Sequence, residues 1–143
     1  MSPCIFCHIA AGLASAERLL ETERVLAFLD IAPVHYGHTL VIPKQHFENF
    51  FDLPDDLWLE MGQVSRKVAL ALRRQLYAQG INLGMNNYPA AGQVVLHAHL
   101  HVIPRYNDDG LHLFPQGSYQ GQDLASVGRQ LREVLASSQP ESP

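Results

Sequence analysis

Val94-Val95-Leu96-His97-Ala98-His99-Leu100-His101-Val102-Ile103 is the stretch from which the rest of the chain can be read. A β-strand sends alternate side chains to opposite faces. Val94, Leu96, Ala98, Leu100 and Val102 then form one apolar face that covers a core, and His97, His99 and His101 share the other. A lone strand histidine is ordinarily a hydrogen-bonded structural residue; three at strict period two call for chemistry. One ion cannot use all three, because a rise of about 3.3 Å per residue separates His97 from His101 by roughly 13 Å, against zinc–nitrogen bonds of about 2 Å. His97 and His99 can chelate as a pair, leaving the third free, but separate roles for separate histidines is the simpler account. Imidazole is partly neutral near pH 7 and suits attack on phosphorus, forming a covalent intermediate that water later cleaves.

Upstream lies a turn-rich loop, Asn86–Gln93, with Asn86-Asn87 and Ala91-Gly92-Gln93, where glycine permits close backbone approach to a phosphate. Before it, Ile81–Met85 reads as a strand and Leu53–Ala78 as a long helix. Leu57, Met61, Val64, Val68, Leu72 and Leu76 recur there at three- and four-residue spacing. Asp52 is placed to cap that helix, Pro54 suits its first turn and Gly80 its end. Further upstream, Glu17–Thr22, Val25–Asp30 and Thr39–Ile42 read as strands, the last ended by Pro43. Beyond the histidines, Arg105–Gln120 is irregular, and Leu124, Val127, Leu131 and Val134 mark a last helix before a frayed Ser137–Pro143. Hairpins of strands with one long helix predict an α+β fold around an antiparallel sheet.

The 143 residues suit a single domain, with 47% hydrophobic and 17% charged residues. Ten Lys+Arg against 14 Asp+Glu leave a formal charge of −4, which argues against a nucleic-acid polymer as partner. No run approaches the roughly 18 apolar residues of a membrane span. Met1–His8 lacks the basic and apolar regions of a signal peptide, so the cytoplasm is the expected compartment. The two cysteines, Cys4 and Cys7, form one C-x-x-C, read as reduced thiols, a metal hairpin or a redox pair. Redox chemistry of that kind calls for a helix start after a strand, whereas this pair begins four residues from the terminus.

His97-Ala98-His99-Leu100-His101-Val102-Ile103 resembles the signature of the histidine-triad (HIT) superfamily, His-φ-His-φ-His-φ-φ. The resemblance extends to Cys4-Ile5-Phe6-Cys7-His8-Ile9, Phe28-Leu29-Asp30-Ile31-Ala32-Pro33, the run Gly37-His38-Thr39-Leu40-Val41-Ile42-Pro43-Lys44-Gln45-His46, Asn86-Asn87 and Ala91-Gly92-Gln93. It spans residues 4–105 of one HIT domain covering 1–143, with an irregular segment and C-terminal helix over 106–143. It implies a five-stranded antiparallel sheet with one long helix and a homodimer in which Leu53–Ala78 and Ile81–Met85 are the candidate contacts. It also implies a nucleotide hydrolase or nucleotidyl transferase acting at the α-phosphate of a purine nucleotide or its conjugate, of phosphoramidase or dinucleoside-polyphosphate hydrolase type.

By the resemblance, His99 is the nucleophile, His101 bonds a phosphate oxygen, and His38 orders the hydrogen bonds of the triad, to which His97 belongs. Asp30 accepts from the ribose hydroxyls, with plain turn initiation as the alternative. Asn86, Gly92 and Gln93 line the phosphate site; Ile5, Phe6, Ile9, Ile31 and Leu40 surround the base, some of them as plain core. Lys44 and Lys67 read as solvated charges, and Arg105 as either a phosphate-facing cation or a surface charge. Related proteins close a C-x-x-C zinc site with two histidines, and the matching set here is Cys4, Cys7, His46 and His97, a structural site; two reduced thiols are the alternative. After Gly92-Gln93 the better-studied branches carry Ser or Thr, where this chain has Val94. On a strand regular from its first residue Val94 is core, and only a bulge would turn it toward the phosphate. Two other functions compete: a zinc hydrolase using His97 and His99, and a nucleotide-binding interaction protein with little turnover.

Overall fold

A computed structural model describes residues 4–137. The chain divides into two compact units, residues 4–109 and 110–137. The first holds a five-stranded antiparallel sheet in the order β1-β2-β3-β5-β4, formed by β1 (Arg18–Glu21), β2 (Val25–Leu29), β3 (Thr39–Pro43), β4 (Gly80–Gly84) and β5 (Leu100–Arg105). Two helices join them, α1 (Ile5–Ala10) and α2 (Asp55–Gln75), and the second unit contains α3 (Leu124–Ala136). This is the expected α+β architecture, with α1 as an addition. The expected fraying after Ser137 lies outside the described residues.

β2 and β3 are buried along nearly their whole length because the sheet is covered on both faces. Val25, Ala27, Val41, Leu100 and Val102 point to one side, against Leu57, Met61, Val64, Val68 and Leu72 of α2. Leu26, Phe28, Leu40 and Ile42 point to the other, against Phe6 and Ile9 of α1. The stripe on α2 is thus the one read from its spacing. Asp55 and Asp56 in its first turn and Arg73 and Arg74 in its last complement the helix dipole.

Three local expectations are corrected. Asp52 does not cap α2: it belongs to a short 3-10 turn, Phe50–Asp52, capped by Asn49, and Pro54 occupies the α2 N-cap. Gly80 is not the helix end but the first residue of β4, while Tyr77, at φ 56°, turns the chain after α2. The histidine strand does not begin at Val94. β5 starts at Leu100, so Val94–His99 approaches the sheet as irregular backbone. Ala98, Leu100 and Val102 are buried as expected, but Val94 is 88% and Leu96 52% exposed. A residue outside the ladder has no pleat to hold it on the core face, and Val94 reaches solvent without a bulge.

Candidate active site

β5 places His101 mid-sheet, opposite Leu40 of β3 and Gly84 of β4. At this end of the sheet Asp30 directly follows β2 and Gly37-His38 directly precede β3, so the residues separated in sequence converge. Gly37 sits at φ 93°, where a Cβ would come within 2.7 Å of Leu76 Cδ1; only glycine allows the chain to turn His38 inward here.

The three triad rings lie on the α1 side, as the alternation predicts, opposite Ala98, Leu100 and Val102 in the α2-side core. His97 stands at the cysteine end of this row, while His99 stacks edge-on to His101 with centroids 5.0 Å apart, and His101 lies 5.1 Å from His38. Phe6 of α1 stands edge-on to both His97 and His99.

Backbone partners assign the tautomers. His99 Nδ1 is 2.7 Å from the His97 carbonyl, which only accepts, so Nδ1 carries the proton and Nε2 keeps a lone pair. The Val34 N–H donates to His38 Nδ1 at 3.0 Å, which puts the proton of neutral His38 on Nε2, donated to His101 Nδ1 at 2.9 Å. His101 then carries its own proton on Nε2. Burial, assisted by the neighbouring His99 and His38, pushes the His101 imidazole down to about 4, with Asp30 opposing. His38 is lowered for the same first reason. Both are neutral donors near pH 7. Asp30 Oδ2 lies 3.7 Å from His38 Nε2, and its Oδ1 accepts from the Ala32 N–H at 2.9 Å, so the carboxylate initiates a turn and faces the histidines at once.

A second cluster lies beside the first. Cys4 caps α1, its Sγ accepting from the Cys7 N–H. The pair therefore does open a helix, contrary to the reading from its distance to the terminus. The ligand atoms of Cys4, Cys7, His46 and His97 all lie within 4.8 Å of one another. His97 Nδ1 is 3.4 Å from Cys4 Sγ and 3.5 Å from Cys7 Sγ, and His46 Nδ1 is 3.3 Å from Cys7 Sγ. Bonds of about 2.3 Å to sulfur and 2.0–2.1 Å to nitrogen at a tetrahedral angle require S···N spacings of about 3.6 Å, so this donor set fits zinc closely. His97 Nε2 donates to the Pro43 carbonyl at 2.8 Å, which leaves Nδ1 unprotonated toward the thiols. Burial and the neighbouring Cys4 push the Cys7 thiol up to about 11, so a cation must displace its proton. With His97 engaged at both nitrogens, the structure offers no paired His97–His99 chelate.

The remaining predicted residues divide. Phe6, Ile9 and Leu40 are buried in the α1-side core, Ile5 is half exposed and Ile31 is 97% exposed. Asn86 and Gly92 face each other across the 85–93 loop, where a Cβ on Gly92 would lie 3.7 Å from Asn86 Nδ2. Gln93 is buried: Oε1 accepts from the Tyr88 N–H, and Nε2 donates to the Glu48 and Val95 carbonyls. Its side chain is thus a strut for the loop. Arg105 forks onto Asp109 and donates to Asn82 at 2.7 Å, a fixed ion pair at the end of β5. Lys44 pairs with Glu21 at 2.7 Å. The sequence reading missed an aromatic group, Phe50, Phe51, Trp58 and Tyr88; its rings come from three separated segments and follow no common period.

A sheet with this strand order, carrying three histidines across the entry to one strand and a fourth just before its neighbour, defines a histidine-triad protein. The family profile described as HIT domain matches residues 12–108, and the chain belongs to that family. It is 42% identical over 139 residues to "Protein hit" of Bacillus subtilis, covering 94% of this chain and 96% of that protein. Among solved structures it is similar to a HIT family protein from Bacillus anthracis, with a TM-score of 0.88, 38% identity and coverage of 96% of this chain and 98% of that one. It is also similar to a zinc-bound histidine triad family protein from Mycobacterium smegmatis, with a TM-score of 0.75, 42% identity and 94% coverage of each chain. A histidine triad nucleotide-binding protein from Candida albicans superposes with a TM-score of 0.82 and 33% identity over 95% of this chain and 99% of that one.

Proposed function

We propose that the protein is a nucleotide hydrolase or nucleotidyl transferase that works through a nucleotidyl-His99 intermediate, on a purine nucleotide joined to a leaving group through its α-phosphate. The observation that carries this reading is the Nδ1–H of His99 held by the His97 carbonyl, which aims a bare Nε2 away from the backbone. That lone pair bonds to the α-phosphorus while the bond to the leaving group breaks and its electrons depart with the leaving atom. The positive charge on the ring is eased through Nδ1–H and the carbonyl. Water then adds to phosphorus, the P–N bond breaks back to Nε2, and a proton passes to solvent; an acceptor other than water makes the same step a transfer.

His38 and His101 serve the phosphate. The chain from the Val34 N–H through His38 to His101 ends in a His101 Nε2–H that donates to a non-bridging oxygen. Asp30 accepts from the ribose, the 85–93 loop with Asn86 and Gly92 supports the phosphate, and Phe6, Ile9, Leu40 and Ile31 bound the base. Cys4, Cys7, His46 and His97 hold a structural zinc, which ties α1 to the segments after β3 and before β5 and has no open position for substrate. We read the domain as a homodimer in the cytoplasm. β4 is the edge of the sheet with Leu83 exposed, so it can pair with a second copy; sedimentation showing only a 15.9 kDa species at micromolar concentration would remove the dimer.

The test of the function is a substrate panel read by mononucleotide release, with the reaction quenched and digested. A nucleotidyl adduct on the peptide containing His99 is the expected result. Turnover without an adduct, or nucleotide binding with no turnover over all leaving groups, overturns it.

A further inference from the structure

The 85–93 loop carries more than Asn86 and Gly92. Tyr88 takes φ 70°, ψ 158°, a conformation that side-chain-bearing residues rarely adopt. It is held there by the Gln93 Oε1 that accepts its N–H and by the Gln93 amide bonded to the Glu48 and Val95 carbonyls. The result lays the Tyr88 ring along Phe51, centroids 5.7 Å apart and planes 26° off parallel. Asn87 Oδ1 locks the other segment by accepting from the Phe50 N–H at 2.9 Å. Phe51 is backed by Phe50, and Phe50 by Trp58. Yet Phe51 is 58% and Tyr88 53% exposed, so these rings add little to the core. Strained backbone, the buried Gln93 amide and the half-buried Asn87 amide hold two solvent-facing aromatic rings, with the exposed Val94 next to Gln93 in the same segment.

The sheet decides which part of a substrate meets these rings. At the row of His101, β2 and Asp30 lie on one flank, and β4, which feeds the 85–93 loop, lies on the other. With the nucleoside anchored at Asp30, the group displaced from phosphorus is directed to the β4 flank. We propose that Phe51, Tyr88 and Val94 form a leaving-group subsite that takes a planar aromatic ring on the group being displaced. This rests on the function proposed above and specifies its preferred substrates. A ring stacks on the Phe51–Tyr88 pair, and Val94 supplies an apolar edge.

The test uses two mixed anhydrides of one nucleoside monophosphate, with 3-phenylpropionic and 3-cyclohexylpropionic acid. The leaving groups are matched in size and acidity and differ in aromaticity. The readout is the ratio of kcat/KM for the aryl over the cyclohexyl substrate. Stacking of one ring predicts that Phe51→Leu lowers this ratio roughly tenfold, that Tyr88→Leu lowers it similarly, and that Tyr88→Phe restores it. Because each variant is compared with itself on two substrates, a loss of folded protein cancels. A ratio near one in the unmodified protein, or one unchanged in Phe51→Leu, overturns the subsite. Failure of the underlying function is seen separately, as the absence of a His99 adduct with either anhydride.

Discussion

Two clusters lie at the two ends of the row of triad histidines, and by proximity alone both resemble metal sites: Cys4, Cys7, His46 and His97 in one, Asp30, His38 and His101 in the other. The backbone partner of one ring separates them. In the first, a carbonyl (Pro43) takes the Nε2 proton of His97 and leaves a lone pair facing two sulfurs. In the second, an N–H (Val34) donates to His38 Nδ1 and forces the proton onto Nε2, the atom facing Asp30 and His101. A cation there would have to expel that proton and strand the Val34 amide. A carbonyl thus prepares one imidazole to hold a metal, and an amide prepares another to pass on a hydrogen bond. His99 stands between them, its own proton taken by the carbonyl of His97.

The largest effect expected from this contrast is on catalysis. His99→Ala should lower kcat on the order of 10⁴-fold or more while nucleotide affinity changes little, since the imidazole is needed for bond making. Wild-type turnover in that variant would break the assignment of the nucleophile. On the metal side, the protein purified without chelators should contain about one zinc per chain, and Cys4→Ala should contain almost none. The same change should remove about 4 kcal/mol of stabilisation at free zinc 1,000-fold above its dissociation constant, read as a lower Tm, with a smaller effect on rate. Zinc-free wild-type protein would leave the first cluster as reduced thiols.

Acid tests the second cluster through His101. The folded value of His101, about 4, lies below its ordinary 6.5. The unfolded chain therefore binds more protons between those values. The contribution is complete above pH 6.5 and is lost as pH falls toward 4. His101→Asn should make the acid limb of a Tm-against-pH curve shallower. An unchanged limb would mean that the His38–His101 pair does not titrate as a buried neutral couple.

Much of this was legible beforehand. Period-two histidines, a two-residue cysteine spacing and an Asp before Ile-Ala-Pro are local patterns, and each lands in its expected cluster. What escaped depends on where the ladder starts. Alternation assumes a strand, yet pairing reaches only Leu100; His97 and His99 still share the α1 side, whereas Leu96 and Val94, further from the ladder, lose their place in the core. α1 escaped because six residues are too few for a periodic signal, and its Cys4 cap is a weak sulfur acceptor. The Phe51–Tyr88 stack joins residues far apart in sequence through Asn87 and Gln93 amides, which read only as turn formers.

Val94 is where that displaced strand start has the smallest and most selective consequence. At 88% exposure it is not core, so Val94→Ser should change stability by no more than about 0.5 kcal/mol. The substitution places a hydroxyl beside Gln93, on the flank assigned above to the leaving group. An amine or alkoxide needs a proton as its bond to phosphorus breaks, whereas a polyphosphate or carboxylate departs without one. One added neutral hydrogen bond contributes about 0.5–1.5 kcal/mol, so alkyl-amine substrates should gain up to roughly tenfold in kcat/KM. Acidic leaving groups should gain almost nothing. Parallel kinetics on an alkyl phosphoramidate and a mixed anhydride of the same nucleotide measure the difference. Equal changes on both would place Val94 away from the departing atom, and its exposure would then be that of an ordinary loop residue.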